Sequence, residues 1–126
     1  MKLTFATKNS GKTRELSKAL EETEFKVESL INQRIEAAPE TGSSFLENAL
    51  IKCKSVAETT GRPTIADDSG LVVPALNGRP GIYSARYSGP GASDEDNVQK
   101  LIQEIRSISD RRAYFFLLSG FYDFFR

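Results

Sequence analysis

Asp67 and Asp68 stand side by side between two apolar runs, Thr64-Ile65-Ala66 and Leu71-Val72-Val73, with Ser69 and Gly70 completing the segment. β-Branched and small apolar residues of this kind fill a sheet interior, where solvating two neighbouring anions is costly. A cation offsets that cost. Magnesium takes one or two carboxylate oxygens and completes its octahedron with water and substrate phosphate, so the pair points to a phosphate-processing site. The four residues Asp67 to Gly70 read as a tight turn between two strands. Asp and Gly are ordinary turn residues, and a purely capping role for both carboxylates stays open on this segment alone.

A second cluster lies near the N-terminus. Leu3-Thr4-Phe5-Ala6-Thr7 reads as a buried first strand, and Lys8-Asn9-Ser10-Gly11-Lys12 turns from it into a helix with Leu16, Ala19 and Leu20 on one face. Unpaired N–H groups at a helix start favour phosphate, and Lys8 and Lys12 add full positive charge there, against the usual preference of helix starts for acidic residues. The segment is thus either an anion cradle or an ordinary connection with solvated lysines. It also matches the phosphate-binding pattern G-x-x-x-x-G-K-[ST] from Ala6 to Thr13 at every place but the first, where Ala6 replaces glycine. A degenerate P-loop NTPase is the rival reading.

The elements that must position these groups follow in order. Phe25 to Leu30 is expected as a second strand, and a polar connection leads to Pro39-Glu40-Thr41-Gly42. Ser44 and Glu47 then form a capping box for a helix with Leu46, Ala49, Leu50, Cys53 and Ala57 on its buried face, stopped by Gly61 and Pro63. Glu40, just ahead of that helix, is a candidate third carboxylate for the metal. Cys53 lies on the apolar stripe and reads as a core residue. Pro74 to Gly91 is a Gly/Pro-rich loop decorated with Tyr83, Arg86 and Tyr87, suited equally to gripping phosphate or base and to lining a subunit interface. Ser93 caps a third helix, with Asp94, Glu95 and Asp96 in its first turn and Val98, Leu101, Ile102, Ile105 and Ile108 on its buried side. Ala113 to Leu118 begins like a core strand, and Phe121, Tyr122, Phe124 and Phe125 make the ending aromatic.

Composition narrows the chemistry. The 126 residues fit a single domain, and 17 basic residues balance 17 acidic ones, which gives no electrostatic reason for nucleic acid or a membrane surface as partner. One cysteine excludes an internal disulfide, and no long apolar leader or spanning segment is apparent, so a cytoplasmic location is expected. Histidine is absent, which removes imidazole bases and the commonest zinc sites. Catalysis here rests on carboxylates, lysines and a metal.

Four segments taken together resemble the inosine triphosphate pyrophosphatase family, which clears ITP, dITP and XTP. They are Thr7-Lys8-Asn9-Ser10-Gly11-Lys12 with Arg14-Glu15, then Glu40-Thr41-Gly42 with Phe45-Leu46-Glu47-Asn48-Ala49, then Ala66-Asp67-Asp68-Ser69-Gly70, and Pro80-Gly81-Ile82-Tyr83-Ser84-Ala85-Arg86-Tyr87-Ser88-Gly89. The resemblance implies an α/β fold with a mixed central β-sheet flanked by helices, a homodimer, and Mg2+-dependent hydrolysis of purine nucleoside triphosphates to the monophosphate and pyrophosphate. It implies Asp68 as proton acceptor and metal contact, Glu40 as a second metal contact and Asp67 as a supporting one. Thr7, Lys8, Asn9, Ser10, Gly11, Lys12 and Ser69 would hold the triphosphate. The resemblance runs from Met1 to Phe116. The family's later Gly-Phe-Gly-Tyr-Asp, lysine and Ser-His-Arg elements have no intact counterpart, so the chain is expected to lack the family's C-terminal part, with residues 117–126 a divergent aromatic tail. A catalytically impaired, nucleotide-binding remnant is the alternative that this departure implies.

Overall fold

The computed structural model describes residues 1–123; Phe124 and Phe125 of the aromatic ending lie outside the described residues. The elements in chain order are β1 (Lys2–Phe5), α1 (Ser10–Ala19), β2 (Lys26–Glu28), α2 (Phe45–Thr60), β3 (Thr64–Val72), α3 (Asp94–Ile105) and β4 (Tyr114–Tyr122). Short 3-10 turns at Pro74–Leu76 and Gly81–Arg86 lie between β3 and α3. The strands form one sheet in the order β2-β1-β3-β4. β1 is parallel to β2, with Leu3 opposite Val27, and parallel to β3, with Thr4 opposite Thr64. This is the expected α/β architecture of a sheet flanked by helices. No helix among the described residues is long and apolar enough to cross a membrane.

Two compact units divide the chain, one formed by Met1–Asp67 with the chain from Leu118 onward, the other by Asp68–Leu117. The core of the first is built from Ala6, Leu30, Cys53, Val56 and Ala66, with Ile35, Ala37 and Tyr122 packed on it. Leu30 lies beyond the short strand β2 and is tied by its N–H to the Thr7 carbonyl at 2.9 Å, so only the middle of the expected strand 25–30 pairs. α1 has no fully buried residue: Leu16 and Leu20 are half-buried and Ala19 is exposed.

α2 starts where its sequence dictates. Ser44 adopts extended backbone and its hydroxyl accepts the Glu47 N–H at 3.1 Å, while Gly61 ends the helix in the left-handed region at φ 67°. The expected box closes one residue early, because the Glu47 carboxylate accepts from the Ser43 N–H (2.6 Å) and hydroxyl (2.9 Å) and not from Ser44. Those bonds favour the anion and lower the Glu47 pKa. Ala49, Cys53, Val56 and Ala57 face inward as a stripe of small residues. Leu46 and Leu50, expected on that face, are exposed instead. Gly120 of β4 explains Leu50: a Cβ added there would sit 3.6 Å from Leu50 Cδ2, and glycine offers no side chain to cover it.

The acidic segment is not a turn. β3 runs unbroken from Thr64 to Val72, carrying Asp67, Asp68, Ser69 and Gly70 within the strand. Gly70 has a different reason to be glycine. A Cβ there would collide with the Gly81 carbonyl oxygen and come within 2.7 Å of Ser84 Oγ. A glycine inside a strand marks such a close backbone approach as readily as it marks a bend. Ser84 fixes the crossing, accepting the Leu71 N–H at 2.9 Å and donating to the Gly81 carbonyl at 2.7 Å.

In this second unit the decorated loop packs on α3 through polar groups. Asn97, buried, accepts from the Ser88 N–H (2.9 Å) and hydroxyl (3.0 Å) and donates to the Ala85 carbonyl (3.0 Å). The Tyr87 hydroxyl donates to Glu104 at 2.7 Å, Lys100 donates to the Tyr87 carbonyl at 2.8 Å, and burial with the Glu104 charge pushes the phenol up to about 12. Arg86 lies over the Tyr83 ring at 5.2 Å. Ser93 caps α3 as expected, and Asp96 completes a capping box with it. Its apolar stripe is only partly covered: Leu101, Ile105 and Ile108 are half-buried while Val98 and Ile102 are exposed, because the polar positions Asn97, Lys100 and Glu104 take the contact with the loop. β4 likewise departs from a core strand. It stands at the end of the sheet, with Tyr114, Phe115, Leu117 and Phe121 exposed, and pairing continues through Tyr122 into what the sequence suggests is a tail.

Two outcomes follow from this packing. Gly70→Ala is expected to lower stability by about 1–3 kcal/mol, the usual cost of an added methyl in a filled space, read as a lower urea midpoint at unchanged m. Burial pushes the Cys53 thiol up to about 11, and its S–H donates to the Thr64 carbonyl at 2.9 Å. With its folded pKa raised, the thiol contributes stability below the ordinary thiol range that is lost as pH rises through about 11. A disulfide reagent at pH 8 should leave Cys53 unmodified in the native chain and modify it fully in denaturant.

Candidate active site

The connection from β1 to α1 is short. Ala6 follows β1, its N–H still donating to the Ile65 carbonyl at 2.8 Å and its side chain in the core, and the Thr7 N–H turns back to the Phe5 carbonyl at 2.7 Å. Asn9 is the N-cap of α1: its Oδ1 accepts the Lys12 N–H at 3.1 Å, and its own N–H donates to Thr7 Oγ1 at 3.1 Å. Ser10 and Gly11 occupy the first two helical positions, whose N–H groups have no partner within a helix and face whatever acceptor approaches. Thr7 to Lys12 thus form a capped helix start of the kind expected of an anion cradle. The P-loop alternative is weakened at Ala6, which stands where that pattern calls for glycine and whose side chain lies in the core.

The two lysines are not free charges. Lys8 pairs with Glu36 at 3.0 Å on the surface, an exposed contact of small energetic weight. Lys12 meets Asp67 at 2.5 Å, and that carboxylate is almost wholly buried. The acid on β3 thus answers the cation on α1. Only the carboxylate is buried, and removing the half-exposed lysine would leave it uncompensated.

Glu40 is likewise engaged, with Lys52 of α2 at 3.3 Å. Sequence reasoning missed Lys52. A signal existed: it lies between the polar Asn48 and Ser55 on one face of the helix that follows the Glu40 segment. Asp68 and Ser69 follow Asp67 along β3, Asp68 buried and Ser69 half-buried. Regular strand alternation turns adjacent side chains to opposite faces.

Among the described residues, no group of three or more Cys, Asp or Glu comes together as a ready metal cluster, and the expected set Glu40, Asp67 and Asp68 is not one. The donor chemistry nonetheless suits magnesium, since every candidate is a carboxylate and the hard-cation preference for oxygen is met. Glu40 and Asp67 each sit against a lysine ammonium, the positive charge that a cation would otherwise supply.

The sequence signature of the Ham1 family spans residues 3–123. A dITP/XTP pyrophosphatase of Yersinia pestis is 48% identical over 111 residues, covering 88% of this chain and 56% of its own length. One from Vibrio cholerae is 50% identical over 109 residues, covering 86% of this chain and 54% of its own. The solved HAM1 protein of Coxiella burnetii superposes with a TM-score of 0.88 at 35% identity, over 98% of this chain and 64% of that one. The chain spans about half the length of the curated relatives it matches. The four motifs, the sheet and these matches agree, and the chain belongs to the Ham1 family.

Proposed function

We propose that this chain hydrolyses purine nucleoside triphosphates of the ITP, dITP and XTP kind between the α and β phosphates, releasing monophosphate and pyrophosphate and so cleansing the nucleotide pool. The observation that carries the proposal is the Lys12–Asp67 pair, which ties an anion cradle to the acidic strand that leads to Asp68. The relatives, which are dITP/XTP pyrophosphatases by name, support the same chemistry.

In this reading the Ser10 and Gly11 N–H groups and Lys8 and Lys12 bind the triphosphate, while Thr7 and Asn9 hold the cradle in shape and Ser69 offers its hydroxyl to a phosphate oxygen. Asp68, buried in a sheet strand and so poorly solvated, takes the proton from the attacking water. Lys12 exchanges Asp67 for phosphate when the nucleotide arrives, keeping charge balanced as the bond breaks. Glu40 and Asp68, with Asp67 in support, would hold Mg2+, which when bound offsets phosphate charge and polarises the reacting phosphorus. Homodimer formation belongs to the same proposal and is supported by the exposed Tyr114, Phe115 and Leu117 at the end of the sheet.

The test is product analysis with ITP, dITP, XTP, ATP and GTP plus Mg2+. Monophosphate with pyrophosphate, favoured for the inosine and xanthine nucleotides, is the expected result. Diphosphate with phosphate from ATP or GTP, or no turnover by folded chain, would overturn it, the latter in favour of a nucleotide-binding remnant. Asp68→Asn is expected to lower kcat by at least about 100-fold, the scale of a lost general base, with the circular dichroism spectrum kept. Lys12→Met should raise KM for the triphosphate about tenfold or more, through loss of a charged phosphate contact, whereas Lys12→Arg retains part of the affinity. Light scattering should give about twice the 13.9 kDa chain mass if the chain pairs with itself.

A further inference from the structure

The chain from 34 to 42 has no regular secondary structure, yet three of its residues are fixed to one stripe of α2. The Ala38 N–H donates to Ser55 Oγ at 3.0 Å, Glu40 meets Lys52 at 3.3 Å, and the Gly42 N–H donates to Asn48 Oδ1 at 2.7 Å. The contacts fall on alternate residues of the segment and on helix positions i+7, i+4 and i, which share one face at 3.6 residues per turn. Between the outer two pins the chain tightens. The Thr41 N–H donates to the Pro39 carbonyl at 3.0 Å, a three-residue turn with Glu40 at its centre.

Both outer pins are themselves held. Ser55 donates its proton to the Lys52 carbonyl at 3.0 Å, which leaves its oxygen to accept from Ala38. Asn48 is fully buried, and its Nδ2 has no acceptor among the described residues. A buried donor left unmatched is unfavourable, and an apolar residue at that helix position would avoid it. What the side-chain oxygen of Asn48 supplies is the bond to Gly42. Gly42 lies close enough that an added Cβ would stand 2.6 Å from Glu47 Cβ and 2.8 Å from Asn48 Oδ1, so this contact also requires glycine.

We propose that Asn48 and Ser55 are positioning residues that strap the 38–42 segment to α2 on either side of Glu40 and so hold its carboxylate in one place beside Lys52. The inference rests on the reading of Glu40 as a metal-holding carboxylate in the proposed reaction. A side chain on an unpinned irregular segment would be spread over many positions, and a cation recruiting it would have to order the segment first. With the strap in place, that ordering is done by folding.

The experiment compares wild type with Asn48→Ala, Ser55→Ala and Ser55→Thr, and with Thr59→Ala, which removes a hydroxyl from the same helix that donates to the Ser55 carbonyl. Three readouts are taken: amide hydrogen exchange at Ala38 and Gly42, Mn2+ affinity by solvent proton relaxation, and the Mg2+ concentration for half-maximal turnover. The Ala variants should speed exchange at their own pin while α2 amides stay protected, and weaken Mn2+ and raise the Mg2+ midpoint by about tenfold, the scale of a lost partner behind a metal ligand. Ser55→Thr should restore both values, and Thr59→Ala should match wild type. Should Asn48→Ala not fold, the Ser55 pair decides alone. Faster exchange with unchanged Mn2+ affinity and Mg2+ midpoint would overturn the proposal, leaving a strap of purely structural value, as would unchanged exchange. If wild type turns over no nucleotide, the proposed function falls, and Mn2+ affinity alone judges the strap: weaker in the Ala variants, it stands; unchanged or absent throughout, it is overturned.

Discussion

Everything placed at the head of β3 depends on one electrostatic requirement, that an aspartate held inside a sheet have a cation against it. Asp67 is buried, and Lys12 reaches it from the first turn of α1. The parallel register Thr4–Thr64 and Phe5–Ile65 brings the end of β1 level with this part of β3, so the helix that follows β1 begins where the carboxylate needs it. A lysine in the first turn of a helix is otherwise poorly placed with respect to the helix dipole. Asp67 reverses that disadvantage, and in the proposed reaction the same ammonium passes to a phosphate.

The second constraint is close approach of backbone to side chain and of backbone to backbone. Gly70 lets the chain at Gly81 cross β3, and Gly42 lets the Glu40 segment lie flat on α2. Neither glycine needs a left-handed conformation. Both stand where a methyl group would force apart two elements that carry candidate site residues, so the glycines act on function through distance and not through flexibility.

Local signals were the readable part of the sequence. Ser44 and Ser93 cap the helices that follow them, and Gly61 ends α2, because capping is settled by a few neighbouring residues. The four motifs named the family for the same reason. What could not be read was the environment on the far side of each element. Asp-Asp-Ser-Gly has turn composition, and only the Gly81 backbone shows why a glycine sits mid-strand. Val98 and Ile102 have helical spacing, yet α3 presents Asn97, Lys100 and Glu104 to its loop and leaves these two apolar residues exposed. Periodicity reports that a helix has two faces and does not say which one is covered. Lys52 escaped notice because its partner, Glu40, lies twelve positions away on a segment with no pattern of its own.

α2 then has two tasks on neighbouring stripes. Ala49, Cys53, Val56 and Ala57 are small, so the helix sits close to the sheet and anchors in the core. Asn48, Lys52 and Ser55 are polar and hold an irregular segment that could not hold itself. The two tasks are coupled. A helix fixed by well-packed small residues has little freedom to shift along its axis, and rows i, i+4 and i+7 can then specify the location of alternate residues on the strap to within hydrogen-bond tolerance. A looser core would blur the position of Glu40 without touching it. The carboxylate is therefore placed by packing on one side of the helix and by hydrogen bonds on the other, and neither alone suffices.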